Sequence, residues 1–159
     1  MTGDTHLDQG LVGRRLPPLD YAVEAGQLRF FAQVVGETDP VCHDIGAARA
    51  AGYRSIVAPP TFPFSVLRGA TADMPVVAAL GLDAAGVNRL LHGEQEFDLL
   101  GPICAGDRLS IEERITAITP RKGGALEIVS TATRITNQLG DEVARMRMQL
   151  VYRVPDPTP

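Results

Sequence analysis

At 159 residues the chain is long enough to bury one core and too short for two ordinary domains, and 45% hydrophobic with 21% charged residues is a globular balance rather than a disordered one. A formal net charge of -4 with the 15 Lys and Arg scattered along the chain gives no footprint for a nucleic-acid backbone, and no run approaches the roughly 18 apolar residues of a membrane span. Cys42 and Cys104 are the two cysteines, and an opening without a basic and apolar leader points to reduced thiols and a cytoplasmic setting.

In chain order, residues 1–10 are polar and read as a flexible start, residues 11–154 as a single domain, and the proline-rich 155–159 as a flexible tail that cannot continue a strand. Residues 11–18 read as an extended entry and 20–24 as a short strand or a lead-in to the next helix. From Ala25 to Val35, Leu28, Phe31, Val34 and Val35 recur at helical spacing, so a helix is expected to present that face to the core, with Gly36 ending it. The chain then turns at Asp39-Pro40, because proline fixes its own φ and moves the preceding residue out of the helical region. Asp44 is placed to cap a short Ala-rich helix through Ala51, closed by Gly52. A helix beginning near Pro60 is apolar nearly all round and belongs in the middle of the fold. Residues 74–81 read as another short helix and 83–88 as a loop.

From Arg89 the period changes to two. Leu91, Gly93, Gln95, Phe97 and Leu99 alternate with His92, Glu94, Glu96 and Asp98, which places an apolar set on one sheet face and an acidic set with His92 on the other. Leu109, Ile111 and Ile115 mark a second strand, Lys122-Gly123-Gly124 a hairpin turn, and 126–137 a third strand. In 143–154, Ala144, Met146, Met148, Leu150 and Tyr152 alternate with Arg145, Arg147, Gln149 and Arg153. Helices first and then four long antiparallel strands make an α+β domain whose central apolar helix covers the sheet.

Three blocks carry a family resemblance. Gly36-Glu37-Thr38-Asp39-Pro40-Val41-Cys42-His43 resembles the signature loop of the MaoC-like hydratases and dehydratases, with Glu37 where the family has its catalytic Asp, Asp39 where it has Asn, and Cys42 where it has His. The stretches from Ala47 to Phe62 and from Leu91 to Phe97, the latter followed by Ala105-Gly106-Asp107, are similar to the N-terminal dehydratase-domain branch of that family. The resemblance implies a hot-dog fold, a curved sheet wrapped around the helix from Thr61, and a dimer completed by a second copy or a homologous hot-dog subunit. It also implies reversible hydration of a 2-enoyl thioester carried on coenzyme A or acyl-carrier protein, with no cofactor; no metal site is expected, because Cys42, His43 and Asp44 are consecutive and no second ligand cluster exists. A helix-N-terminal N–H would polarise the thioester carbonyl as it gains negative charge.

The residues themselves leave alternatives open. Glu37 keeps the general acid and base chemistry of Asp on a longer arm, with His43 as possible helper, yet Glu37 and Asp39 are also ordinary turn formers and His43 an ordinary cap. A thiol cannot orient water as an imidazole does, so Cys42 reads as a substrate-lining residue or a small buried hydrophobe. Pro60 and Pro63 lack N–H groups, leaving Thr61 and Phe62 to supply the carbonyl contact, and Phe62 and Phe64 are expected along an acyl tunnel. His92, on one face with Glu94, reads as a dimer contact. Two functions follow: an acyl-thioester hydratase or dehydratase, or a non-catalytic hot-dog subunit that serves one.

Overall fold

The computed structural model describes residues 6–69 and 74–155; residues 1–5 and 156–159, read above as flexible ends, lie outside the described residues. Among the described residues the frame is an antiparallel sheet of β1 (Leu19–Ala22), β2 (Leu90–Leu99), β3 (Arg108–Arg121), β4 (Leu126–Thr136) and β5 (Glu142–Arg153), in the order β1-β3-β4-β5-β2. The helices are α1 (Ala25–Val35), α2 (Ile45–Ala50), α3 (Phe62–Gly69), α4 (Pro75–Ala79) and α5 (Ala84–Val87). The last corrects the loop expected over 83–88: the Asp83 carboxylate accepts the Gly86 N–H at 2.8 Å and caps a single turn. None of these helices is long and apolar enough to cross a membrane.

Local chemistry sets the boundaries around the signature loop. α1 stops at Gly36, whose φ of 73° is left-handed and costs a glycine little. Its buried face is Leu28 and Ala32 with Phe31 partly covered, while Val34 and Val35, expected in the core, are exposed. Asp44 accepts the Ala47 N–H at 2.7 Å and starts α2. Near the start of the described residues Leu7 is buried and its N–H donates to the Glu127 carboxylate at 2.8 Å.

β5 alternates as expected, burying Ala144, Met146, Met148, Leu150 and Tyr152. β2 does not. Its register to β5 shifts between His92 and Glu94, a bulge at Gly93, where a Cβ would meet Val151 Cγ2 at 3.0 Å. The extra residue turns Leu91 outward opposite Val151 and His92 inward opposite Leu150, so His92 and Glu94 occupy opposite faces. His92 stacks on Phe64 of α3, ring centroids 5.0 Å apart and planes 8° from parallel. That corrects the shared face assigned to His92 and Glu94.

α3 lies on the inner sheet face. Phe62, Val66 and Leu67 pack into one apolar cluster with Ile111, Ile135, Ala144 and Met146, while Ile115, Val129, Met148 and Leu150 form a second with Leu7, Leu11 and Leu16; Phe64 touches both. Between Ile111 and Ile115 the inner row of β3 carries Glu113, only 5% exposed, with neither carboxyl oxygen hydrogen-bonded among the described residues. Burial pushes this carboxyl above the usual carboxylate range; the nearby Thr131 hydroxyl offsets part of the effect without completing a hydrogen bond.

Candidate active site

The loop after α1 is held by its own side chains. One Glu37 carboxylate oxygen accepts the N–H groups of Thr38 and Asp39 at 2.8 and 2.9 Å, and Asp39 accepts the Val41 N–H at 3.0 Å to start a 3-10 turn over Pro40–Cys42. His43 closes this turn: its Nε2–H donates to the Glu37 backbone carbonyl at 2.7 Å, and the Arg29 guanidinium of α1 donates to the His43 carbonyl at 2.8 Å. The imidazole therefore staples the loop.

Against the loop lies the stretch that leads into α3. The Val57 N–H donates to the Val41 carbonyl at 3.1 Å, and the Ala58 N–H to the Ile103 carbonyl at 2.8 Å. Residues 56–58 thus run between the signature loop and the segment after β2. A hollow of about 340 Å³ opens along this seam, with Glu37, Asp39 and Cys42 on one wall, Pro59, Pro60 and Pro63 at the start of α3, and Leu99 and Ile103 opposite.

The structure brings Glu37, Asp39 and Cys42 to this hollow, and not the other sequence-derived candidates. His43 is not on its wall. Thr61 is exposed at the turn into α3. Phe62 is 0% exposed, locked edge-on between Tyr21 and Phe31 with ring centroids 6.3 and 5.4 Å away, and Phe64 is spent on His92. The Phe62 N–H turns back to the Pro59 carbonyl at 3.0 Å and the Phe64 N–H to the Thr61 carbonyl at 3.2 Å, and the prolines at 60 and 63 have no N–H to offer. Cys42 is buried, and burial followed by the Glu37 and Asp39 charges pushes its thiol up, which keeps it protonated. Among the described residues no group of three or more His, Cys, Asp or Glu side chains is placed to hold a metal ion.

Sequence reasoning missed the brace behind the hollow. Asp107, 1% exposed, accepts the Cys104 N–H at 2.8 Å, the Gln138 amide at 3.1 Å and an ion pair from Arg54, which raises the guanidinium further. It ties the chain just before residues 56–58 to the turn that opens β3. The signal was a carboxylate directly before the apolar alternation of Leu109 and Ile111.

A sheet curved over a central helix, with a carboxylate-bearing loop beside the start of that helix, defines a hot-dog domain of the MaoC-like dehydratase class. The chain belongs to the family described as the FAS1-like, dehydratase domain region, which matches residues 10–146. A UPF0336 protein of Streptomyces avermitilis is 37% identical over 148 residues, covering 92% of this chain and 95% of its own. Among solved structures, the C-terminally truncated HadBC (3R-hydroxyacyl-ACP dehydratase) complex from Mycobacterium tuberculosis superposes with a TM-score of 0.74 at 26% identity, over 89% of this chain and 96% of the other. The MaoC-like dehydratase from Rhodospirillum rubrum gives 0.68 at 25%, over 92% and 94%.

Proposed function

We infer that this chain serves the reversible, cofactor-free hydration of 2-enoyl thioesters, on coenzyme A or acyl-carrier protein in the cytoplasm, as the hot-dog subunit whose partner supplies the catalytic carboxylate and imidazole. One observation carries this reading: the His43 ring is spent on the Glu37 backbone carbonyl while the hollow receives a buried, protonated Cys42 in its place. Hydration places hydroxide on C3 and a proton on C2 of the enoyl group, so water must lose a proton to one group while C2 gains one. A carboxylate and an imidazole facing the same water do this; one carboxylate tied to two loop amides is poorly organised for it. The HadBC similarity supports the reading, since that dehydratase is a complex.

Glu37 and Asp39 do line the hollow, which favours a second reading in which the chain is active alone with Glu37 as acid and base. Loss of enoyl absorbance from a short 2-enoyl thioester separates the two. The purified chain is expected to be inactive, and to support turnover when co-expressed with a MaoC-like chain that retains Asp and His. In that complex Glu37→Gln should leave the rate nearly unchanged, whereas removing the partner's imidazole should cost about 10²- to 10⁴-fold. Hydration by the chain alone, lost on Glu37→Gln, would establish the second reading instead.

A further inference from the structure

β2 lies at the end of the sheet, so one of its long sides carries backbone groups that no strand among the described residues pairs. Such an edge pairs with another chain unless something blunts it. Beyond the bulge, Glu94, Glu96 and Asp98 form one row, pointing away from α3, and Gln95, Phe97 and Leu99 form the inner row. The acidic row is open to solvent: the Glu96 and Asp98 side chains are 49% and 47% exposed. Leu91 and Leu99, at the two ends of the strand, are 56% and 51% exposed. Leu99 also lines the hollow, so whatever pairs with β2 abuts the candidate site.

We propose that the Glu94, Glu96 and Asp98 row selects the occupant of this edge: a homologous hot-dog chain whose own edge strand presents basic or uncharged side chains, in preference to a second copy of this chain. The geometry is restrictive. In an antiparallel pair, residues directly opposite each other point to the same face, and a two-fold that continues the sheet keeps both helices on one side. Acidic row therefore meets acidic row. Pairing centred on Glu96 opposes Glu94 to Asp98 and Glu96 to its own copy, and centring one residue either way opposes Glu94 to Glu96, or Glu96 to Asp98. Like charges directly opposite are destabilising in a sheet. Arg147 answers Glu96 and Asp98 from within the chain, and among the described residues no ion pair is formed by Glu94. A basic partner row instead makes cross-strand ion pairs at each of these positions, so the same three residues attract one partner and exclude another.

The choice of a hot-dog chain as occupant rests on the partner-subunit reading above; the charge selection does not. Sedimentation therefore tests it without any turnover. The probe is this chain carrying Glu94→Lys and Asp98→Lys, mixed with wild type, so that both new lysines face an acid in the Glu96-centred pairing and one of them does in either neighbouring register. The mixture should associate about tenfold or more tightly than wild type with itself, and the preference should shrink as salt rises from about 0.05 M to about 0.5 M. If thermal melting shows that this variant does not fold, Glu94→Gln with Asp98→Asn replaces it and should self-associate about tenfold more tightly than wild type. A mixture no tighter than wild type alone, or a preference that salt leaves unchanged, overturns the proposal; for the neutral variant, self-association equal to wild type does so. Inactivity of every complex in the hydration assay would defeat the functional reading and leave the sedimentation result standing.

Discussion

Replacing Glu113 by Met should stabilise the protein, with a gain that grows with pH. The carboxyl sits on the inner row of β3, 5% exposed, without a hydrogen bond on either oxygen. An unsatisfied buried polar group costs about 1–3 kcal/mol, and Met fills a similar volume without that penalty. Because burial raises its folded-state pKa above the ordinary 4.5, the native state retains a proton that the unfolded chain releases. Below the ordinary value both states are protonated and Glu113 adds no pH dependence. As pH rises from there towards the folded pKa, the native state binds more protons than the unfolded one and stability falls; above the folded pKa the loss is complete. Glu113→Met should therefore gain about 1–3 kcal/mol near neutral pH, roughly 2–12 °C in Tm for a chain of this size, and less near pH 4. Urea unfolding of both proteins at the two pH values measures the difference. A variant less stable than wild type at neutral pH, or a gain no larger there than near pH 4, would refute the account of Glu113 as a buried acid without a partner.

Phe62→Ala should lower stability by about 3–5 kcal/mol in chemical unfolding, because a 0%-exposed ring held edge-on by Tyr21 and Phe31 leaves a cavity when removed. A melt within a degree of wild type would place Phe62 outside the core. Asp107→Ala removes the acceptor of three groups, and with Arg54 still partly solvated the loss should be about 2–3 kcal/mol. Hydrogen exchange at residues 56–58 and 103–105 should rise with it, and unchanged exchange there would separate the brace from the hollow.

What the sequence determined by itself was whatever depends on neighbours along the chain. α1, capped α2, α3 and the four long strands followed from apolar period, Asp caps, glycine stops and proline positions, all short-range effects. The signature loop was legible too, since Glu37, Asp39 and Cys42 lie within one turn and reach the hollow together. Tertiary structure decided the rest. The Gly93 bulge, set by the pairing of β2 with β5, sends His92 to Phe64, while Glu94, Glu96 and Asp98 keep the outer face that their alternation gave them. Glu113 was visible as a charge in an apolar alternation, but only the structure shows that its carboxyl is buried with neither oxygen hydrogen-bonded among the described residues. Whether the His43 ring would face a water or tie down a carbonyl turned on the path of residues 37–43 in space, where a 2.7 Å contact between positions six apart leaves no trace in residue type.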